Sequence, residues 1–165
     1  MAQALAGLAS AETDEIVLYS GRPLPPWAVF INGDDGAAMM LAGAYAAHAS
    51  GVVTARAADM NVQEDAVRVE FSGTGVGRLM LTGPGLDLGA FRDAGVLRLA
   101  VRQDAAADGP LRLFVGDRSI DLTGQADAFV GKGWTEVSIA LTCFADEAGT
   151  LGRVDVPFAL ESAAR

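Results

Sequence analysis

The feature that most constrains this chain is a period-two alternation running from Gly133 to Glu161. Thr135, Val137, Ile139 and Leu141 share one parity, and Trp134, Glu136, Ser138 and Ala140 share the other. Apolar and β-branched residues at every second position mark a strand with one buried face. Val154, Val156, Phe158 and Leu160 repeat the pattern against Asp155, Pro157, Ala159 and Glu161. Pro157 cannot donate a ladder hydrogen bond, so it predicts an edge strand or a bulge. Between the two runs, Phe144 to Gly149 has room for one helical turn closed by Gly149. Two half-buried strands joined by a compact corner predict the end of an antiparallel sheet.

The same grammar extends upstream. Residues Met1 to Thr13 are Ala-rich and lack aromatic residues, so residues 1–15 read as a linker and 16–165 as one β-domain. Short strands are predicted at Ile16–Tyr19, Trp27–Ile31, Val52–Met60, Ala66–Phe71, Arg78–Thr82, around Leu97–Val101, Leu111–Val115 and Ser119–Thr123. Gly21 to Pro26 reads as a rigid extended connector, because each proline fixes φ and biases its predecessor away from helix. Ala37 to Ser50 has helix-forming composition, yet Gly43, Gly51 and the flanking strands favour a strand plus a loop. Many short strands between turn signals, with no long amphipathic helix, describe an all-β sandwich of two antiparallel sheets.

At 165 residues, one domain can bury roughly 70% of its extended surface and needs no staples. The formal charge is −9 and the pI near 4.4, which argues against nucleic acid and anionic membranes as partners. The basic residues are scattered along the chain, so no local patch offsets that repulsion. No apolar run approaches the ~20 residues that span a bilayer, and no signal-peptide pattern stands at the N-terminus. Cys143 is the only cysteine, which excludes an internal disulfide. Its place at an apolar strand end predicts a buried, inert thiol.

Chemistry-bearing motifs are few. Gly73-Thr-Gly-Val-Gly77 precedes a strand and not a helix, so it reads as a hairpin turn and not a phosphate cradle. His48 is the sole histidine, and no nucleophile elbow surrounds any serine, so no catalytic residue is assigned. Glu64 and Asp65 are adjacent carboxylates between two strands, where oxygen ligands for a hard cation could converge. Asp155 is the first choice for a carboxylate from another strand, and the ion would be a structural calcium. A charged turn bonding its own backbone is the competing reading. Trp134 falls on the polar face of its strand and Trp27 follows a Pro-Pro corner. Each could stack on a sugar ring or pack under a loop. Tyr45 is the third aromatic candidate for carbohydrate contact.

Four segments together carry a likeness: Gly21-Arg-Pro-Leu-Pro-Pro-Trp27, Val62-Gln-Glu-Asp-Ala66, Gly133 to Phe144, and Val154-Asp-Val-Pro-Phe-Ala-Leu-Glu161. They resemble the C-terminal galactose-binding-like domain of bacterial family 3 exo-β-glucanases and β-glucosidases. The resemblance implies a jelly-roll β-sandwich that is itself non-catalytic, because the nucleophile and acid/base of such enzymes lie in preceding domains. Met1 ahead of an Ala-rich stretch then reads as a cloned boundary, and the parent enzyme as periplasmic or secreted. The implied partners are those catalytic domains and a β-glucan or gluco-oligosaccharide. Two roles remain open: a module that contacts carbohydrate or shapes the substrate entrance, and an interdomain appendage without sugar affinity.

Overall fold

Strands with a single apolar face must lay that face against another layer, and the computed structural model of the chain does so as a sandwich. It describes residues 3–7, 15–33, 36, 38–41, 48–49, 51–147 and 151–163, with backbone alone at 3–7 and 48–49. In chain order the strands are β1 (Gln3–Gly7), β2 (Glu15–Val17), β3 (Ala28–Asn32), β4 (Ala38–Met40), β5 (His48–Ala49), β6 (Val53–Ala58), β7 (Ala66–Phe71) and β8 (Val76–Thr82). There follow β9 (Leu86–Asp87), β10 (Val96–Val101), β11 (Leu111–Val115), β12 (Arg118–Asp121), β13 (Thr135–Ala140), β14 (Arg153–Val154) and β15 (Phe158–Ala163). One short helix, α1 (Thr123–Asp127), separates β12 from β13.

The main sheet has six strands in the order β12-β11-β15-β8-β3-β4, and a second has four in the order β13-β10-β1-β2. A three-stranded sheet β5-β6-β7 and a small β14-β9 pair complete the strands. Across the six-stranded sheet Leu113, Leu160, Leu79 and Ile31 stand side by side. On the four-stranded sheet Leu97 opposes Ile139 and Leu99 opposes Val137. These inner faces meet Val53, Ala55 and Val67 of the β6–β7 hairpin in one core. Ile31 and Leu113 expose none of their surface. In β13 Ile139 is buried while Glu136, Ser138 and Ala140 are exposed, which is the parity the alternation predicts.

Several expectations change. Part of the stretch read as a linker forms β1, which pairs with both β10 and β2. The run predicted as one strand from Val154 to Leu160 is two strands in different sheets, broken at 155–157. Pro157 stands just before β15, where its missing N–H interrupts no ladder. The strand that follows is therefore interior, flanked by β11 and β8, and not an edge. Nor do β13 and β15 share a sheet; they face each other from the two layers. The helical turn lies at Leu141–Phe144, one turn earlier than predicted, and Gly149 is outside the described residues. That turn changes the side-chain period from two to three. Leu141 and Phe144 go inward and Cys143 faces solvent, so the thiol is exposed and not buried.

The connector before Trp27 closes as a turn, with the Trp27 N–H donating to the Leu24 carbonyl at 2.9 Å, and is not extended throughout. The glycines at 73–77 lead from the β5-β6-β7 sheet into the six-stranded one and close no hairpin. In the Ala37–Ser50 region, β4 and β5 bear out a strand in place of a helix over the described residues.

Candidate functional site

Trp134 enters β13 at the mouth of a cleft of about 310 Å³. The opposite wall comes from β6 and β7, whose outward positions carry Arg56, Arg68 and Glu70. Arg56 and Arg68 are directly opposed in the ladder, which would be destabilising for two like charges alone. Glu70 resolves it: its Oε1 accepts from Arg56 Nη2 at 2.8 Å and from Arg68 Nε at 2.8 Å.

Arg102 follows β10 on the Trp134 side. Its guanidinium grips the Asp104 carboxylate through Nε at 2.8 Å and Nη2 at 3.4 Å. Asp104 also faces Arg68 Nη1 at 3.7 Å. The Arg102 guanidinium carbon lies 6.0 Å from the Trp134 ring centroid, at the outer reach of a cation–π contact. The Arg102 hydrogen bond, aided by the fields of Arg102 and Arg68, holds the Asp104 carboxyl below its usual range against an opposing pull from partial burial. All these pairs are roughly half exposed, so they orient the side chains more than they stabilise the fold.

The charged groups thus form a relay from Arg56 through Glu70, Arg68 and Asp104 to Arg102. Three arginines distant in sequence converge, which the scattered basic residues did not reveal. Each takes the outward parity of its strand, so the signal for their exposure was present, but which strands lie together was not. A half-buried indole beside guanidinium donors and carboxylate acceptors can stack on the apolar face of a sugar and hydrogen-bond its hydroxyls.

The other sequence-chosen residues do not join this cleft. Trp27 packs against the core, its ring lying over Gly83 where even a methyl group would collide with it. It is a packing residue under the loop after β8. Tyr45 lies outside the described residues. Asp65 accepts backbone N–H bonds from Met60 at 2.6 Å, Asn61 at 2.9 Å and Val62 at 3.0 Å. The Glu64 N–H donates to Asp59 Oδ1 at 2.6 Å, and Glu64 itself sits at φ 59°, in the left-handed region. Asp155 belongs to a different corner, its carbonyl accepting from the Gly83 N–H at 3.0 Å. Among the described residues no group of three or more His, Cys, Asp or Glu side chains converges as metal ligands.

Desolvation raises the Asp65 carboxyl, but the amide hydrogen bonds outweigh it and leave the group below its ordinary value of 3.8. A depressed folded-state value means this stabilisation is present above the unfolded value and is lost as pH falls through the folded one. Asp65→Ala should therefore lower the melting temperature at pH 7 and lose that difference in strong acid. Melting of both proteins from pH 7 to pH 2, with and without chelator, checks this. An identical drop at both extremes would show that the amide bonds are not the cause. A chelator-sensitive wild type would restore the calcium reading for Glu64, Asp65 and Asp155.

A family model described as Exop_C, galactose-binding domain-like, matches residues 25–165. The chain belongs to this family. Two solved structures agree with this Exop_C fold. One is an exo-1,3/1,4-β-glucanase (ExoP) from a Pseudoalteromonas species, at 19% identity and TM-score 0.71, over 89% of the present chain. The other is the extra C-terminal domain (X) of that enzyme, at 18% identity and TM-score 0.72, again over 89% of the present chain and 84% of the matched domain. The present chain spans 18% of the whole glucanase chain. No curated protein sequence matches it.

Proposed function

We propose that this Exop_C domain is a non-catalytic accessory domain of a β-glucan-degrading enzyme of glycoside hydrolase family 3, exported with its parent. In this reading it contacts β-glucan or gluco-oligosaccharide beside the substrate entrance. The single observation that carries the reading is Trp134, half-buried on Arg102 in a cleft walled by Arg56, Arg68 and Asp104. The relay fixes donors and acceptors around one aromatic shelf, and its charges are already paired, which suits a neutral polyhydroxylated ligand. The domain's similarity to the extra C-terminal domain of a glucanase supplies the ligand class.

A shallow, wet sugar site of this kind yields a dissociation constant on the order of 0.1–10 mM, or about 3–5 kcal/mol. Titration with laminari- and cello-oligosaccharides should quench tryptophan emission. Trp134→Ala should abolish the response while Trp27→Phe preserves it, because the Trp27 ring packs against the core over Gly83 and does not line the cleft. The same preparation should hydrolyse no aryl β-glucoside above buffer. Flat titrations to about ten times the weakest constant above would reject the carbohydrate module.

The alternative is a structural appendage docked on the catalytic domains, and one observation favours it. On the outer face of the six-stranded sheet, Phe114, Ala159, Met80, Phe30 and Met40 stand in one cross-strand row. Met40 at its end is 53% exposed. Ala159 is itself fully buried, but Met40 with the half-buried Phe30, Met80 and Phe114 is interface material, and deleting the domain would then alter the parent's solubility without a sugar titration ever responding.

A further inference from the structure

The two sheets do not close fully where their edge strands β12 and β13 lie on the same side. Between them is a cavity of about 410 Å³, larger than the Trp134 cleft. Leu99, Val137 and Ile139 form one wall, Ile120, Phe158 and Leu160 the other. Ala126 of α1 and the nearby Phe129 form its lid, and Gln125, Ser138 and Cys143 stand exposed around the opening. The space opens to solvent at this edge of the sandwich, so it is a cleft between the two sheets. Its volume falls in the range of small-molecule pockets, and its composition, apolar walls with a few polar groups at one end, is theirs too.

Among the described residues that line it, Arg102 is the only charged one, and its guanidinium is held by Asp104. An ionic ligand would find no counter-charge inside, and a bare sugar would leave its hydroxyls unpaired against leucine and phenylalanine. We propose that this cavity is a binding site for a small uncharged apolar molecule, an aromatic or alicyclic ring system with a single hydrogen-bonding substituent directed at Gln125 and Ser138. Arg102 borders both sites, but Trp134 does not line this one, so sugar binding and cavity binding are read out separately.

Cys143, the only cysteine in the sequence, provides a built-in reporter at the opening. The neutral fluorophore N-phenyl-1-naphthylamine should bind saturably at one molecule per chain, with blue-shifted and enhanced emission. It should also slow the reaction of Cys143 with Ellman's reagent. Ala126→Phe and, separately, Val137→Phe should fill the space and remove both effects, with near-ultraviolet circular dichroism confirming which variants remain folded. Binding that is absent, that does not saturate, or that persists in a folded filled variant would overturn the proposal. Protection of Cys143 without loss in either folded variant would place the probe on the outer surface and overturn it equally. Unresponsive sugar titrations would leave this result untouched.

Discussion

Phe158→Ala is expected to destabilise the domain by about 3–5 kcal/mol in urea titrations, the cost of truncating a buried phenylalanine. Phe158 opens β15, pairs with Leu81 of β8 and is 6% exposed. Its ring belongs to the core cluster that joins the six-stranded sheet to Leu99, Ile139 and Leu141 of the opposite layer. The adjoining cavity enters the same account. Side chains that already border empty space have fewer contacts to lose, and the cavity created by truncation merges with the existing one. Ile139→Ala, on the facing wall, should cost about 2–5 kcal/mol. A loss below about 1 kcal/mol at either position would mean that the inner parity of these strands is wrong.

Gly95→Ala should also destabilise, by about 1–3 kcal/mol or more, because the site has no room for a methyl group. A Cβ there would sit 2.6 Å from the Phe91 Cβ and 2.9 Å from Leu141 Cδ1, and against the Phe91 carbonyl oxygen as well. The carbonyl is backbone and cannot swing aside. Gly95 is also tied at both ends, its N–H donating to the Phe91 carbonyl at 2.7 Å and its carbonyl accepting from the Leu141 N–H at 2.9 Å. The first bond closes the turn that precedes β10, and the second ties the start of β10 to the 3₁₀ turn after β13. The substitution must break them or push Phe91 and Leu141, both buried, out of place. Gly131→Ala, with φ near 74° and no atom near the added carbon, separates the two glycine effects. It introduces backbone strain without collision and should cost less.

The site is a case where local legibility and global placement part company. Trp134 could be singled out because it interrupts a polar parity at a strand start. Its neighbours could not. Arg56 and Arg68 lie on β6 and β7 and Arg102 just after β10, and only the approach of the β6–β7 hairpin to the end of β10 brings their side chains around one indole. Trp27 had the same sequence signature, an aromatic at a strand start, and its ring packs against the core because Gly83 leaves a bare backbone for it to lie on. Asp65 shows the converse. Its value lies in three amides of its own loop, a local arrangement that the competing sequence reading had already described.

By itself the sequence determined that this is an all-β chain and, in β10, β11 and β13, which side of the strand is buried. Period-two alternation is a property of one strand, set by burial on one face, and so it is readable without knowing the neighbours. Leu97, Leu99, Leu113, Val137 and Ile139 all followed it inward. What only the tertiary structure decided is which strand lies beside which. Hydrogen-bonded pairing joins backbones whose sequences carry no label for their partners, so β15 became interior, the 154–160 run was divided between two sheets, and β1 was recruited from an apparent linker. The exposure of Cys143 was settled the same way. A change from strand to 3₁₀ period at Leu141 depends on where β13 must stop to turn across the core, and no residue in the alternating run announces that point.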